Sequence, residues 1–116
     1  MRDFRKYDIW QKGIDIADNV YDICDKLPKY EVYALADQLR RASVSIASNI
    51  AEGASRKSSV EFAHFLEIAI GSTFEVETQL QIAKRRNYIN DEVYEEIVRQ
   101  LQSEEKQINT FISKLR

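Results

Sequence analysis

The sequence predicts an all-α protein: an antiparallel up-down-up-down four-helix bundle that forms a single domain over residues 1–116. Three glycines and one proline leave few places where regular structure must break, and Ala, Leu, Ile, Glu, Gln, Lys and Arg dominate the composition. Four segments carry apolar residues at helical spacing, and links of only a few residues join them. Short links make sequential helices neighbours, which favours the up-down topology.

The first helix is predicted to begin at Asp8, which can cap it, and Gln11 three residues later stands in the position of a capping box. The helix is predicted to end near Leu27, before Pro28. An apolar series lies on one face of this helix: Ile9, Gly13, Ile16, Val20, Ile23 and Leu27. A second series is rotated by about 100° from the first on a helix of ~3.6 residues per turn. Its members are Trp10, Ile14, Ala17, Tyr21 and Cys24. One four-helix core needs only the first series.

The second helix is predicted from about Glu31 to Ala54, and its last turns combine the apolar stripe with small and polar residues ahead of Gly53. Such side chains indicate close helix contact, a buried hydrogen-bond network, or both. Gly53 would also suit a left-handed cap. The residues that we predict to be structural, bonding to neighbouring helices or to the turn before Ser58, are Ser45, Asn49, Glu52 and Gly53.

Capping signals mark the last two helices. Ser58-Ser59-Val60-Glu61 has the pattern of a capping box and predicts a helix that continues to about Arg86. Asn90 is predicted to cap the fourth helix. Glu104 and Glu105 interrupt the apolar stripe of that helix.

Two arginines of the second helix, Arg40 and Arg41, fall at the same level of the bundle as the middle of the third helix. Glu67 lies one turn to one side of that level and Glu75 one turn to the other. An inter-helix ion pair there and a solvated pair of arginines are both compatible with the sequence.

Three stretches carry a family resemblance: Leu39-Arg40-Arg41-Ala42, Asn49-Ile50-Ala51-Glu52-Gly53 followed by Arg56, and Gly71-Ser72-Thr73-Phe74-Glu75-Val76-Glu77-Thr78-Gln79-Leu80. Over about 4–115 the chain resembles the four-helix-bundle proteins encoded in intervening sequences of bacterial 23S ribosomal RNA genes. Accessory proteins of diversity-generating retroelements are similar. Many family members have proline where this chain has Ala47, so any kink from that proline is expected to be weaker or absent here.

The resemblance implies several properties that the residues alone do not establish. It implies a small cytoplasmic bundle in a ring-shaped homo-oligomer, with a pentamer as the expected number. It also implies association with RNA or DNA, or with a protein partner such as a reverse transcriptase, and it implies no catalytic activity.

Composition restricts the function classes. The net charge of −2 lacks the basic excess of a typical nucleic-acid binder, so any such binding must depend on a local patch. A single cysteine, Cys24, excludes an internal disulfide and is interpreted as a small apolar residue. The chain has no apolar run of membrane-spanning length and no signal peptide, so a soluble cytoplasmic protein without a membrane partner is expected.

Enzyme and metal chemistry find little support in the sequence. Glu61-Phe62-Ala63-His64 has the Glu-x-x-His spacing of di-iron bundles, but those sites need two such motifs and two further glutamates. With one histidine, a complete site within one chain is excluded. Gly-rich phosphate loops are absent, and no nucleophile and base stand in a persuasive pair. We therefore expect no catalytic residue, no cofactor and no metal.

In the predicted topology the N-terminus, the turn between the second and third helices and the C-terminus share one end. That end gathers seven cations against the four acids Asp3, Asp8, Glu52 and Glu61: Arg2, Arg5, Lys6, Arg56, Lys57, Lys114 and Arg116. Repeated around a ring, such an excess would attract phosphate backbones. The residues predicted to contact nucleic acid are Arg5, Lys6, Arg56, Lys57 and Lys114. The alternative is a purely structural or protein-interaction module, which the acidic pI supports.

Apolar residues outside the core stripes predict a homo-oligomer. They occur on the first and third helices: Trp10, Ile14, Tyr21, Ala63, Ile70 and Phe74. Groups of large apolar side chains usually mark an interface. The first helix of one subunit could then meet the third helix of the next, a heterologous contact that closes into a ring. Wide core stripes that bury these residues within one chain are the alternative.

Overall fold

The structure is a computed structural model that describes residues 2–115, and its architecture is the predicted up-down-up-down bundle. Within that range the α-helices are α1 (Asp8–Asp25), α2 (Leu35–Ala54), α3 (Ser59–Arg85) and α4 (Asp91–Leu115). Single 3₁₀ turns precede α1 and α2, at Phe4–Lys6 and Lys29–Glu31. Helix α1 packs against α2 and α4, and α3 packs against the same two helices. Helices α1 and α3 are therefore diagonal to each other across the bundle.

Local capping signals fix the start of α3 and of α4, as predicted. The Ser58 hydroxyl accepts a hydrogen bond from the backbone N–H of Glu61 at 3.1 Å. The Asn90 side-chain oxygen accepts one from the N–H of Val93 at 2.8 Å. Each bond satisfies an amide that the first helical turn would otherwise leave without a partner.

The predicted cap at Asp8 is wrong, because α1 begins one position earlier than that cap requires. Tyr7 occupies the cap position, and its carbonyl already accepts the amides of Trp10 and Gln11. Asp8 is the first helical residue, where its carboxylate lies near the positive end of the helix dipole. The Gln11 side-chain amide donates instead to the carbonyl of Arg5 at 3.0 Å.

Helix α2 begins four residues later than predicted. Glu31 belongs to the 3₁₀ turn that follows Pro28, and Ala34 has a non-helical backbone with φ −123° and ψ −103°. The Glu31 carboxylate accepts a bond from the N–H of Leu35 at 3.3 Å. Glu31 therefore lies outside the helix and supports its first turn through its side chain.

The hydrophobic core is formed by one stripe of each helix. Its largest fully buried side chains include Val20, Leu39, Leu66 and Leu101, one from each of α1 to α4. The first apolar series of α1 is buried over its whole length, as predicted. Cys24, which the sequence placed in the second series, is buried as well.

Glycines allow close approach of helices at two points, and neither glycine has a positive φ. A Cβ atom on Gly53 would lie 2.7 Å from the Cβ of Phe65 and 2.9 Å from the Cδ1 of Phe62, so α2 and α3 touch there. Gly53 is helical, and the predicted left-handed cap is wrong. A Cβ on Gly13 would lie 3.2 Å from the Cβ of Ala47, and α2 continues through Ala47 without interruption.

Of the two acids that interrupt the apolar stripe of α4, Glu104 is fully buried and Glu105 is half-buried. Glu104 has no exposed surface, and neither of its carboxyl oxygens has a hydrogen-bond partner within residues 2–115. Burial raises the pKa of Glu104 to about 8, and the charge of Lys12 lowers it only in part. Glu104 is therefore largely protonated in the folded protein at neutral pH.

Candidate nucleic-acid interface

The structure brings the predicted basic residues together at one end of the bundle. The Arg2 guanidinium donates to the carbonyl of Arg56 at 2.5 Å, which ties the N-terminal segment to the α2–α3 turn. The ring of Phe111, near the end of α4, lies 4.9 Å from that of Tyr7. We call this end the basic end, defined by six cations: Arg2, Arg5, Lys6, Arg56, Lys57 and Lys114. Arg116, the seventh predicted cation, lies outside the described residues.

Three arginines of the basic end are held against aromatic rings. The guanidinium of Arg2 lies 4.8 Å from the centre of the Phe62 ring. Arg5 stands 4.7 Å above Phe4, and Arg56 stands 4.8 Å above Phe65. Such contacts are favourable and restrict where the charge can move. They also cover one face of each ring, so these aromatic faces are not free for a ligand.

Arg56 has a second role in holding the α2–α3 turn. Its guanidinium pairs with the Glu52 carboxylate at 2.9 Å, and its buried Nε has no hydrogen-bond partner within residues 2–115. Lys6, Lys57 and Lys114 are exposed and form no ion pair within the same range. These lysines are the freely available charges of the basic end.

Of the predicted structural residues of α2, Ser45 contacts a neighbouring helix, whereas Asn49 and Glu52 make contacts close in sequence. Ser45 Oγ lies 2.5 Å from Ser72 Oγ on α3, a link between the two helices. The Asn49 amide donates at 2.7 Å to the carbonyl of Ser45 in its own helix, whereas a partner on a neighbouring helix or in the turn was predicted. Glu52 supports the turn through Arg56.

The predicted interface residues differ in exposure. Ile14 and Tyr21 on α1 are 40% and 42% exposed, and Phe74 on α3 is 60% exposed. Ala63 is in the core, which corrects its predicted place outside it, because the buried stripe of α3 is wide enough to include both Ala63 and its neighbour Phe62.

Trp10 and Ile70 are partly buried and pack on the core. The Trp10 ring meets that of Phe4 edge-on at 5.2 Å. The exposed part of the predicted interface is therefore limited to Ile14, Tyr21 and Phe74.

The arginines in the middle of α2 lie close to aspartates. Arg40 lies 3.9 Å from the carboxylate of Asp25 on α1 and 5.7 Å from the centre of the Tyr21 ring. Arg41 pairs with Asp37 of its own helix at 3.1 Å. Arg40 thus connects α2 to α1 and partly covers an exposed tyrosine.

Sequence reasoning missed an aromatic group at the opposite end of the bundle. Tyr30 and Tyr33 are 75% and 93% exposed, in the connection between α1 and α2. The predicted bounds of the second helix included Tyr33, and an exposed aromatic residue on a helix is unremarkable. Pro28 marks the end of the first helix, but proline is also common at the first position of a helix, so the sequence carried no signal that Tyr33 lies in a loop.

The structure describes the surroundings of the single cysteine and of the possible metal ligands. Burial raises the pKa of the Cys24 thiol to about 11, which keeps it in its unreactive protonated form. Within residues 2–115 no group of three or more His, Cys, Asp or Glu side chains is arranged to hold a metal ion. None of the helices in this range is long and apolar enough to cross a membrane.

These features define a small all-α bundle protein with a cationic end. The sequence model described as 23S rRNA-intervening sequence protein matches residues 5–110, and the chain belongs to this family, as predicted. A search of curated proteins found no match. Among solved structures, a protein of unknown function from the S23 ribosomal protein family of Bacteroides thetaiotaomicron is similar, with 26% identity and a TM-score of 0.83. The match covers 90% of this chain and 97% of that one.

Proposed function

We propose that this protein is a non-enzymatic cytoplasmic scaffold that assembles into a closed homo-oligomer and binds nucleic acid through the basic end. One observation carries the proposal: arginines fixed against aromatic rings stand beside exposed lysines that have no ion pair within residues 2–115. Fixed and mobile cations on one surface are suited to phosphate groups, which supply most of the affinity in nucleic-acid binding.

Assembly would increase the effect of this small excess of charge. Within residues 2–115 the basic end has six cations against four acids, an excess of two positive charges. If the bundle axes run along the ring axis, every subunit presents this end on the same face. The excess is then multiplied by the number of subunits, and so is the number of counterions that bound phosphates release.

The exposed apolar residues support a ring. Ile14 and Tyr21 lie on α1, whereas Phe74 lies on α3, which is diagonal to α1 in the bundle. A contact between two different surfaces of the same chain is heterologous and closes into a ring when the rotation permits. We propose a pentamer, the number implied by the family resemblance.

A second candidate function is a protein-interaction module without a nucleic-acid partner. The acidic pI of about 5.5 and the covered aromatic rings of the basic end favour this reading. A reverse transcriptase is the kind of protein partner that the family resemblance implies. The two candidates differ in one measurable property, namely salt-dependent affinity for RNA or DNA.

The test measures binding of labelled RNA and of duplex DNA over a series of salt concentrations. Lys57→Glu, at an exposed position of the α2–α3 turn, should weaken binding and reduce the slope of log affinity against log salt by about one for each phosphate that is no longer neutralised. Lys106→Glu makes the same charge change on the exposed middle of α4 and should have little effect. Undetectable binding of the unmodified oligomer at low salt, or equal effects of the two variants, contradicts the proposal.

A further inference from the structure

A group of tyrosines projects from the end of the bundle opposite the basic end. Tyr30 and Tyr33 belong to the connection between α1 and α2, and Tyr88 belongs to the connection between α3 and α4. We call this region the tyrosine end, defined by Tyr30, Tyr33 and Tyr88. Tyr33 is 93% exposed, far beyond what one chain needs for its own packing. A large exposed aromatic group of this kind points to a ligand or partner.

Hydrogen bonds between the two connections hold part of the tyrosine end in place. The Tyr88 hydroxyl donates to the Glu31 carboxylate at 2.8 Å. The hydroxyl oxygens of Tyr88 and Tyr30 lie 3.3 Å apart. The hydrogen bond with Tyr30, and after it the one with Glu31, raises the pKa of Tyr88 to about 12. The rings of Tyr30 and Tyr88 meet edge-on at 6.3 Å. Tyr30 is therefore oriented before any ligand arrives, which lowers the entropy cost of binding.

The backbone after α3 places Tyr88 against the other connection. Asn87 adopts a positive φ of 63°, the left-handed conformation that asparagine tolerates better than most residues. The N–H of Tyr88 then bonds to the carbonyl of Ala83 at 2.9 Å, which closes the end of α3.

Unpaired cations surround the tyrosines. Lys29 and Arg85 are exposed and form no ion pair within residues 2–115. Arg86 is exposed, and its guanidinium lowers the pKa of Tyr88 in part, against the larger effects of Tyr30 and Glu31.

The acids of this end are largely engaged. Asp25 lies 3.9 Å from Arg40, and Asp91 lies 3.7 Å from Lys84. The Glu31 carboxylate accepts hydrogen bonds from the Tyr88 hydroxyl and from the N–H of Leu35. Glu92 is exposed and forms no ion pair within the described residues. Glu31 and Glu92 therefore keep negative charges beside the free cations Lys29, Arg85 and Arg86, so phosphate contacts here would depend on these individual cations and not on a net positive charge.

The two ends of the bundle differ in whether their aromatic faces are free. At the basic end, arginines cover the rings of Phe4, Phe62 and Phe65. Within residues 2–115 no cation stands over Tyr30 or Tyr33. Free aromatic faces beside cations are the combination that proteins use for single-stranded nucleic acid, since every unpaired base offers a face for stacking.

We propose that the tyrosine end is a second binding site, for unpaired nucleotides, in which bases stack on Tyr30 and Tyr33 and phosphates contact Lys29, Arg85 and Arg86. A duplex fits this site poorly because its bases are already stacked on each other. The site does not depend on binding at the basic end, which lies at the other end of a bundle 43 Å long.

The test compares two labelled probes of about twelve nucleotides, within the range that single-strand sites cover: oligouridine and a blunt RNA duplex. Tyr33→Ala should weaken oligouridine binding roughly tenfold and leave duplex binding unchanged. Tyr33→Phe keeps the stacking ring and should bind like the unmodified protein. Lys57→Glu, at the basic end, should weaken duplex binding and so reports separately on the proposed function. Light scattering of each variant follows the oligomeric state.

Several outcomes overturn the proposal. One is unmodified protein that fails to bind oligouridine at low salt. Another is an equal loss of affinity for both probes in Tyr33→Ala, which would indicate a general electrostatic effect. A third is unchanged oligouridine binding in Tyr33→Ala. If the oligomer dissociates in that variant, the tyrosine end is instead a contact between subunits.

Discussion

Gly53 of α2 and Phe65 of α3 lie so close together that a Cβ on Gly53 would stand 2.7 Å from the Cβ of Phe65. A Cβ atom moves only with its backbone, so the two helices would have to separate to admit one. This close approach lies beside the α2–α3 turn, and Arg56 of that turn rests on the same Phe65 ring. The packing of the two helices therefore supports the geometry of the basic end.

Gly53→Ala should lower the free energy of unfolding by about 1–2 kcal/mol, because overpacking costs about 1–3 kcal/mol and the better helix propensity of alanine returns at most ~1 kcal/mol. Gly71→Ala is the matched control, since a Cβ on Gly71 has no neighbour within 4 Å. It should stabilise α3 by roughly 0.5–1 kcal/mol. Urea denaturation of both variants measures the difference, and a Gly53→Ala protein as stable as Gly71→Ala would contradict the close approach.

The stability of the bundle should fall as the pH rises, because of Glu104. Burial raises its folded pKa to about 8 from the ordinary value of 4.5. The folded protein therefore binds this proton more tightly than the unfolded chain, and the resulting stability is complete below about pH 4.5 and is lost as the pH rises through about 8. At about 1.4 kcal/mol per pH unit, the difference is of the order of 5 kcal/mol.

Glu104→Gln separates this effect from other titrations. Glutamine is a neutral side chain of the same shape, so the variant should be more stable than the parent at pH 8–9, and the gap should narrow towards pH 5. Glu95→Gln makes the same substitution at an exposed position of α4 and is the control for the loss of one carboxyl group. Denaturation at several pH values provides the measurement. Parallel profiles for the parent and Glu104→Gln would show that Glu104 is not buried as a neutral acid.

Asn49→Ala should change the free energy of unfolding by less than about 1 kcal/mol. The Asn49 amide bonds to the carbonyl of Ser45 within its own helix, so its removal leaves no donor or acceptor of another helix without a partner. The better helix propensity of alanine offsets part of the missing bond. Thermal melting beside Gly53→Ala tests this, and a decrease of about 2 kcal/mol or more would mean that Asn49 has a further partner, for example across a subunit interface.

Helical spacing predicted which residues share a face, but it could not predict which atoms bond. The caps at Ser58 and Asn90 were predictable because each is a contact within four residues. The grouping of cations at one end followed from short links and alternating helix direction. The late start of α2 was not predictable, because it depends on the Glu31 carboxylate, which bonds at once to Leu35 and to Tyr88 of a distant loop.

The side-chain positions at the basic end were the hardest to predict. Their positions depend on contacts between segments far apart in sequence, such as Arg2 with Phe62. Composition also gave no sign that rings at one end are covered and rings at the other are free. Ala63 shows the same limit within the core, because the width of a buried stripe depends on how the neighbouring helices cross.

Phe74→Glu should dissociate the proposed ring without unfolding the subunit. Phe74 is 60% exposed in the single chain, so a carboxylate there is tolerated in the monomer but would be buried without a partner in an interface. Ile14→Glu should act in the same way from the α1 side of the interface. Trp10 is a poorer choice, because its ring packs on Phe4 and on the core of its own subunit.

Ile68→Glu is the matched control for Phe74→Glu. Ile68 is 40% exposed on the same helix, and at ~100° per residue it faces about 120° away from Phe74. It should therefore leave the oligomer intact. Native mass spectrometry and light scattering give the subunit number, and circular dichroism shows whether each variant is folded. A monomer at micromolar concentration would show that the proposed ring is wrong. If Ile68→Glu dissociates the oligomer and Phe74→Glu does not, the proposed interface is in the wrong place.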